Sequence, residues 1–414
     1  MKIAFLTFLN FSFLTFSLSQ ENEEFMSFSI QKETNINSIS RALSYNPYGN
    51  EYGSPVLTIT YPRESFWKIK IPLSTAENAV SAVLILYSPI TWLAAVNNGL
   101  IHPIVSTPAC SENNLTQEYL TYSVKGKECN IKFKFNEEQS VQYNFIFANE
   151  YNYIPKSIIS GGLGLGIQKN SFPSSIRKKL KNMHSIYLSE DPNAYSHILV
   201  GGQNPECYEG NLIASLSPIS SSNWTFSLNE FSITKEKSPF VLFNQSSKIL
   251  LDPNIPSIAI PEKEFQFFQE RLDQIVSGCQ FSNEDPHMMK CPCQSLSEVE
   301  SFDLSIAGQK VSLPYRKLLS TKDNLCYLKI SCTSVNNSQC MNINPTFEEY
   351  WILGSPFFTY YYTVFSYESN GDDAKLDLFI AKEGYQQTIN PNYISSTSDS
   401  SSDVVFHLIL GLLV

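Results

Sequence analysis

The sequence predicts an all-β protein with a few short helices, folded as two lobes. Three observations lead to this prediction. The chain has 414 residues, more than one hydrophobic core usually contains. Several short runs alternate between apolar and polar residues, as half-buried strands do. Helical spacing is confined to short stretches, and the sequence has no repeat of the solenoid or propeller kind.

The strand and helix candidates follow one another along the chain. The clearest alternating runs cover residues 56–61, 66–71, 131–135 and 142–147. Residues 171–182 and 262–276 are the helix candidates. The second helix candidate spaces its apolar residues by three or four positions, at Phe265, Phe268, Leu272 and Ile275.

Composition excludes some classes of protein. Hydrophobic residues make up 43% of the chain and charged residues 16%, which is typical of a globular protein rather than a disordered one. The net charge of -10 and the lack of a basic run argue against nucleic acid as a partner.

The two ends of the chain carry targeting signals. Residues 1–19 have one lysine, an apolar run and a small-residue cleavage site, which predicts a signal peptide. Residues 20–45 are polar and lack a clean period, which predicts a leader or a loosely ordered entry strand. Residues 393–414 join a small polar spacer to an apolar tail that is too short to span a membrane, which predicts a lipid anchor of the GPI type attached at Ser396. An apolar terminus without an anchor is the alternative.

Cysteines and glycosylation sequons agree with a secretory route to the cell surface. The chain has nine cysteines, which is typical of an oxidising compartment. Four Asn-x-Ser/Thr sequons predict glycosylation at Asn114, Asn223, Asn244 and Asn336.

Five segments, in order along the chain, resemble the pepsin-like aspartic peptidases. They are the glycine-rich run 158–166, the Val-Gly-Gly segment 198–205, the aromatic run 224–228, the loop 249–261 around Asp252, and the Ile-Leu-Gly segment with its partner strand, 350–365. The resemblance implies the bilobal pepsin-like fold with a long inter-lobe cleft. It places the N-terminal lobe at residues 46–205 and the C-terminal lobe at residues 206–392.

The resemblance also bears on the disulfides. The segment between Cys293 and Cys326 is similar to the family's C-lobe disulfide loop. Local pairs are expected beside it, although spacing alone does not determine connectivity; they are Cys110–Cys129, Cys332–Cys340 and Cys279–Cys291. Cys207 is then left over, either reduced and buried or paired with another chain.

Aspartic peptidases hydrolyse peptide bonds with a water held between two aspartates, one from each lobe. One carboxylate stays charged as a general base while the other donates a proton. Aligned on Trp92, the N-lobe loop places Ile85 at the aspartate position, Leu86 at the threonine position and Tyr87 at the glycine position, and only Ser88 matches. The chain contains no aspartate before Asp191, so shifting the alignment does not supply one.

The C-lobe loop keeps its aspartate, Asp252, but not the residues around it. Pro253 and Asn254 replace the usual threonine and glycine. Tyr122 matches the flap tyrosine of the family, although the glycine after it is absent. Tyr122, Ser88 and Trp92 are therefore the expected substrate-side residues of the cleft.

No substitute chemistry is evident from the sequence. A metal site at Asp285 and His287 beside Cys279, Cys291 and Cys293 is a weaker reading than disulfides. Ser88 lacks a nearby histidine for nucleophilic catalysis, and no cofactor is expected.

The expectation is a monomeric, surface-displayed pseudo-peptidase that binds an extended peptide or a protein without cleaving it. One alternative is an active aspartic endopeptidase, which needs an acid from elsewhere in the cleft. The other is a passive coat or adhesion glycoprotein with a vestigial cleft.

Overall fold

The computed structural model describes residues 26–33, 66–73, 75–94, 109–134, 140–152, 161–167, 183–190, 196–200, 202–281, 288–322, 325–337, 339–368 and 373–384. Across these ranges the chain is mostly β-strand, and its α-helices are short. The all-β, bilobal pepsin-like fold expected from the sequence is therefore confirmed.

The strands of the N-terminal half are β1 (Met26–Glu33), β2 (Phe66–Leu73), β3 (Thr75–Ile85), β4 (Trp92–Ala94), β5 (Ala109–Glu118), β6 (Ser123–Lys134), β7 (Ser140–Asn152), β8 (Gly161–Gly164), β9 (Met183–Tyr187) and β10 (Ser196–Val200). Those of the C-terminal half are β11 (Tyr208–Leu216), β12 (Thr225–Lys235), β13 (Ser238–Phe243), β14 (Ser247–Leu251), β15 (Ile258–Pro261), β16 (Gln280–Phe281), β17 (Met289–Cys291), β18 (Val299–Ile306), β19 (Gln309–Pro314), β20 (Leu319–Lys322), β21 (Leu325–Leu328), β22 (Ile330–Ser334), β23 (Met341–Asn342), β24 (Tyr350–Leu353), β25 (Tyr361–Ser366) and β26 (Lys375–Ala381). The described α-helices are α1 (Glu262–Ile275), α2 (Cys293–Leu296) and α3 (Ser355–Tyr360).

These strands form three sheets. The largest has 13 strands in the order β11-β26-β25-β9-β10-β1-β2-β3-β8-β4-β7-β6-β5. A second sheet has 9 strands, and its main path is β19-β18-β12-β14-β24-β15-β22-β23. The third has 4 strands in the order β16-β17-β21-β20. Because β25 pairs with β9, the large sheet joins strands from both halves of the chain.

Several elements lie where the alternation of the sequence predicts them. The run 66–71 lies within β2, the run 142–147 lies within β7, and most of the run 131–135 belongs to β6. The helix predicted over 262–276 is α1, which ends one residue earlier. The candidates at 56–61 and 171–182 lie outside the described residues, as do the predicted signal peptide and the tail.

Part of the segment 20–45, for which a leader and an entry strand were the two alternatives, is a strand. β1 pairs antiparallel with β10 on one side and with β2 on the other. This pairing builds a segment with little periodicity of its own into the middle of the largest sheet, because backbone pairing on both sides needs no amphipathic pattern.

Helix α1 shows how the amphipathic pattern sets local packing. Phe265, Phe268 and Leu272 are buried on one face, and Glu262 and Glu264 lie in the first turn, where negative charge favours the helix dipole. The Phe268 ring stacks on Phe231 of β12, with ring centroids 5.5 Å apart. Burial of side chains of this size stabilises the C-terminal lobe by about 2 kcal/mol each.

The structure contains the four disulfides that were expected. They are Cys110–Cys129, Cys279–Cys291, Cys293–Cys326 and Cys332–Cys340. Cys207 is free and buried, and its Sγ lies 3.7 Å from Nε2 of His197. Of the two states considered for Cys207, the structure has the reduced and buried one. No helix in the described part of the chain is long and apolar enough to cross a membrane.

Candidate functional site between the lobes

Two equivalent strand arrangements face each other between the lobes. In the N-terminal one, β3 runs parallel to β8, and β4 pairs antiparallel with β8. In the C-terminal one, β14 runs parallel to β24, and β15 pairs antiparallel with β24. Each arrangement ends in a loop that leaves the first strand, and these loops carry the residues that the sequence singled out.

The register of the two arrangements relates Ile85 to Asp252. Leu84 pairs with Leu163 in the N-terminal arrangement, and Leu251 pairs with Leu353 in the C-terminal one. The next residue along the first strand is Ile85 in one case and Asp252 in the other. The two residues therefore occupy corresponding positions, although one side chain is apolar and the other is a carboxyl group.

A glycine lies behind each loop because the backbones approach too closely for a side chain. A Cβ atom on Gly354 would lie 2.1 Å from the Ile255 carbonyl oxygen. A Cβ atom on Gly164 would lie 2.4 Å from the carbonyl carbon and oxygen of Pro89. Both distances are shorter than any non-bonded contact, so only glycine fits at these positions.

Asp252 is almost fully enclosed, with 5% of its surface exposed. Its Oδ1 accepts hydrogen bonds from the backbone N–H and the side-chain Nδ2 of Asn254, each at 2.9 Å. The same Nδ2 donates to the Leu84 carbonyl oxygen at 2.8 Å, which ties the C-lobe loop to the N-lobe loop. The buried Oδ1 of Asn254 has no hydrogen-bond partner among the described residues.

Burial controls the charge of this carboxyl group. It raises the pKa of Asp252 to about 7, and the two hydrogen bonds from Asn254 lower the pKa by less. The pKa values of the Tyr87 and Tyr122 hydroxyls are also raised, by burial first and then by the nearby Asp252. The site therefore holds one carboxyl group that titrates near neutral pH.

An apolar cluster occupies the space around the two loops. We call it the cleft cluster. It contains residues of both lobes, all buried: Val83, Ile85, Tyr87, Trp92, Ala94, Tyr119, Leu120, Tyr122, Val124, Ile146, Ala148, Leu250, Ile255, Ala259, Met341, Ile343 and Ile352. Ile85 is 1% exposed within it. The surroundings of Asp252 are thus mostly hydrocarbon and aromatic rings.

The structure brings together two of the three predicted substrate-side residues. Nε1 of Trp92 donates to the Tyr122 hydroxyl at 3.2 Å, and the two rings meet edge to face with centroids 5.8 Å apart. Tyr119 stacks on Tyr122 at 4.8 Å. Ser88 is buried, and its Oγ accepts a hydrogen bond from the Ile90 N–H at 3.2 Å, which shapes its own loop.

Tyr87 makes contacts at this site that the sequence did not show. Its hydroxyl accepts a hydrogen bond from the Leu120 N–H at 3.0 Å, and its ring meets Phe347 edge to face with centroids 5.4 Å apart. The side chain therefore links the N-lobe loop, the turn at residues 119–122 and the C-terminal lobe. The sequence signal was the presence of a large side chain at a position expected to hold glycine.

We call the hairpin formed by β5, residues 119–122 and β6 the flap. A second group of contacts joins the flap to the C-terminal lobe. The Asn344 N–H donates to the Leu120 carbonyl oxygen at 2.8 Å. Nδ2 of Asn344 donates to the Glu118 carboxylate. The Asn344 side chain also accepts from the Thr346 N–H at 3.0 Å. Local sequence gave no sign of these contacts, because Glu118 and Asn344 lie on different lobes.

The candidate metal-ligating residues are arranged differently from a metal site. Cys279, Cys291 and Cys293 are all disulfide-bonded. Asp285 and His287 lie outside the described residues. Within the described part of the chain, no group of three or more His, Cys, Asp or Glu side chains is placed to hold a metal ion.

The predicted glycosylation sites differ in accessibility. Asn114, Asn244 and Asn336 are exposed. Asn223 is only partly exposed, and its Oδ1 accepts a hydrogen bond from the Thr225 hydroxyl at 2.7 Å. The predicted anchor residue, Ser396, lies outside the described residues.

Comparison with known proteins identifies the family. The family described as eukaryotic aspartyl protease matches residues 102–372. The chain belongs to this family. Members of this family bind peptide substrates in the cleft between the two lobes.

Individual relatives are distant. Over 218 residues the chain is 26% identical to pregnancy-associated glycoprotein 1 of Bos taurus, covering 50% of this chain and 52% of the relative. Over 209 residues it is 24% identical to cathepsin D of Homo sapiens, covering 48% of this chain and 46% of the relative. The chain therefore spans about half the length of these two curated relatives. Over 325 residues it is 22% identical to pregnancy-associated glycoprotein 4 of Ovis aries, covering 73% of this chain and 79% of the relative.

Proposed function

We propose that this protein is a non-catalytic member of the aspartyl protease family, a pseudo-peptidase that acts by binding a peptide or a protein. One observation carries the proposal. The position that corresponds to Asp252 in the other lobe is held by Ile85, inside an apolar cluster.

A lone carboxyl group cannot perform both parts of the reaction. Hydrolysis needs a base to activate water and an acid to protonate the carbonyl oxygen, and the two aspartates of the family share these tasks. The chain has no aspartate before Asp191 to supply the partner. Loss of either part removes most of the acceleration that acid–base catalysis gives.

The proposal includes a site of action at the cell surface. The signal peptide over residues 1–19, the anchor at Ser396 and the four sequons support delivery through the secretory pathway. We further propose that the mature protein is a monomer with lobes at residues 46–205 and 206–392. Release of surface protein by a phosphatidylinositol-specific phospholipase tests the anchor, and a Ser396→Leu variant that is released equally well would contradict it.

Proteolysis is the direct test of the catalytic half of the proposal. The purified ectodomain and its Asp252→Asn variant are incubated with a denatured protein across acid and neutral pH, with and without pepstatin. We expect no cleavage above background from either protein. Pepstatin-sensitive cleavage that disappears in Asp252→Asn would support the alternative of an active aspartic endopeptidase and contradict the proposal.

Restoring the missing groups gives the reciprocal test. The variant Ile85→Asp/Tyr87→Gly/Asn254→Gly supplies a second carboxyl group and a glycine in each loop. Gain of pepstatin-sensitive cleavage by this variant, with none from wild type, is the expected result. The matched control, Ile85→Asn with the same two glycines, has no second acid and should remain inactive.

A passive surface glycoprotein is the second candidate, because the cleft cluster fills the space around Asp252. The two functions differ in whether any extended ligand is retained. A display library of random peptides, selected on the immobilised ectodomain, should enrich a consistent sequence pattern if the protein binds peptides. Enrichment of no pattern, together with no protein partner captured by crosslinking on the cell surface, would favour the passive role.

A further inference from the structure

The cleft cluster contains a large side chain at a position where the resemblance predicts glycine. Tyr87 occupies a loop position where this family has glycine, so the backbone there needs no large side chain. It nevertheless projects from the N-lobe loop to the flap, where its hydroxyl accepts the Leu120 N–H at 3.0 Å. Its ring also contacts Phe347 of the C-terminal lobe. One side chain thus touches all three walls of the cleft.

The position of Tyr87 relative to Asp252 shows which part of the cleft it fills. Tyr87 belongs to the same buried cluster as Leu250 and Ile255, which lie on either side of Asp252 in the C-lobe loop. Tyr87 is only 7% exposed. The aromatic ring therefore fills space within the cleft cluster, beside the C-lobe loop that carries Asp252.

A separate set of contacts holds the flap down over this ring. Asn344 donates its backbone N–H to the Leu120 carbonyl oxygen and its Nδ2 to the Glu118 carboxylate. Its Oδ1 caps the following turn by accepting the Thr346 N–H. We call the pair of Asn344 and Glu118 the latch. The latch and Tyr87 hold the same turn of the flap from two sides.

We infer that Tyr87 is an intramolecular occupant of the cleft, which keeps it closed until the aromatic side chain of an incoming peptide displaces the ring, and that the Asn344–Glu118 latch stabilises the closed state. This inference rests on the proposed binding function for the identity of the ligand. The closed state itself follows from the contacts of Tyr87 and Asn344 alone.

Removing the ring tests whether it fills a ligand site. Phenol added to Tyr87→Ala should occupy the cavity that the missing side chain leaves. We expect this binding to be saturable and to raise the Tm of the variant by about 2 °C or more. A peptide with a single tyrosine should then bind Tyr87→Ala at least tenfold more tightly than wild type, and its alanine analogue should not. Tyr361→Ala is the control. It removes a buried ring outside the cleft cluster, whose hydroxyl donates a hydrogen bond to the Ser312 carbonyl oxygen.

The latch is tested in the presence of Tyr87, by hydrogen exchange of the flap measured by mass spectrometry. Asn344→Asp keeps the oxygen that caps Thr346 but places a second carboxylate against Glu118. Flap amides should exchange about tenfold faster, as for a loss of one charge-assisted hydrogen bond. In Glu118→Gln/Asn344→Asp the amide and the carboxylate are exchanged, so the rate should return to the wild-type value.

The outcomes separate the inference from the proposed function. Phenol binding by Tyr87→Ala with no peptide bound by any variant would support the occupied cleft and contradict peptide binding in it. Equal peptide affinity for wild type and Tyr87→Ala would contradict the occupant role while leaving a binding function in place. If Tyr87→Ala does not fold, unchanged flap exchange in Asn344→Asp would overturn the inference, and faster exchange restored by the double variant would support it.

Discussion

The two loops between the lobes share a backbone arrangement and differ in chemistry. Both leave a strand that runs parallel to its neighbour, and both lie in front of a glycine that no other residue can replace. The C-lobe loop presents Asp252, whereas the N-lobe loop presents Ile85 and Tyr87. The comparison teaches that a fold can keep one backbone geometry around different side chains, because close backbone packing and side-chain chemistry place separate demands on the sequence.

The bond between the loops illustrates this separation. Nδ2 of Asn254 donates to the Leu84 carbonyl oxygen across the lobe boundary, at a position where the family has glycine. The N-lobe loop contributes only its backbone to this bond, so the bond does not depend on the side chain at position 85.

The largest loss of stability is expected from replacing the glycine that lies behind each loop. Gly354→Ala brings a Cβ against the Ile255 carbonyl oxygen, and Gly164→Ala brings one against Pro89. Because backbone atoms must move in both cases, we expect each to cost about 4 kcal/mol or more of unfolding free energy, measured by urea denaturation.

The control for this prediction is Gly308→Ala. Gly308 has a φ of 76° and nothing within 4 Å of its Cβ position, so only backbone strain is added. Its cost should be about 1 kcal/mol. If Gly164→Ala costs no more than this control, the two loops do not share the same close packing and the comparison fails.

The next largest effect concerns pH and separates Asp252 from Ile85. Burial raises the pKa of Asp252 to about 7, against 3.8 when it is exposed. Between these values the folded state holds a proton that the unfolded state has lost, so stability falls as pH rises, and the full penalty is present above about pH 7. Asp252→Asn should remove a penalty on the order of 4 kcal/mol.

The measurement is the difference in unfolding free energy between Asp252→Asn and wild type, determined at acid pH and again at mildly alkaline pH. We expect this difference to grow in favour of the variant as pH rises. Ile85→Leu, at the corresponding position, should show no such trend. A constant difference for Asp252→Asn would mean that the carboxyl group stays solvated and the cluster does not enclose it.

A histidine on the N-terminal side of the large sheet should have the opposite pH dependence. His184 is fully buried, neither ring nitrogen has a hydrogen-bond partner among the described residues, and its ring stacks on Phe365 at 4.7 Å. Burial lowers its pKa to about 3, from 6.5. The stability that neutral His184 contributes is therefore present above about pH 6.5 and is lost as pH falls toward 3.

His184→Phe keeps the ring and removes the titration. The advantage of the variant over wild type should be about 3 kcal/mol larger at about pH 4 than above neutral pH. Met183→Leu, on the same strand without a titratable group, is the control. An advantage for His184→Phe that is the same at every pH would show that packing rather than proton uptake is responsible.

The smallest effect compares one buried hydrogen bond from each arrangement. Tyr122→Phe removes the hydroxyl that accepts from Nε1 of Trp92 at 3.2 Å, and Ser331→Ala removes the hydroxyl that lies 2.7 Å from the Ser257 hydroxyl. Each should cost about 1 to 2 kcal/mol, because each change removes one buried hydrogen bond. Thermal unfolding that shows a cost for Ser331→Ala alone would indicate that the aromatic side of the cleft is looser than its counterpart.

Much of the fold was predictable because its signals are local. Alternating polarity located β2, β6 and β7, and apolar spacing located α1 to within one residue. The four disulfides agree with the expected pairs, since three of them join cysteines near each other in sequence. β1 was harder to predict, because it has strands on both sides and its own pattern carries little information.

The site was predictable in its residues but less so in its contacts. Alignment on Trp92 placed Ile85 at the aspartate position and Tyr87 at the glycine position. The resemblance also grouped Trp92 with Tyr122, and the structure shows a hydrogen bond between these two side chains. It gave no reason to expect that Tyr87 reaches Leu120 and Phe347. It also missed Asn344, whose partner Glu118 lies 226 residues away. Contacts over such separations depend on how the two lobes meet.

The sequence by itself therefore determined the strand pattern, the family resemblance and the absence of any aspartate before Asp191. These are properties of residues and their near neighbours along the chain. Only the tertiary structure decided that Asp252 is enclosed, that burial raises its pKa to about 7 and that Tyr87 contacts Leu120 and Phe347. The physical reason is that burial sums the contributions of distant segments, and desolvation of a carboxyl group depends on that sum.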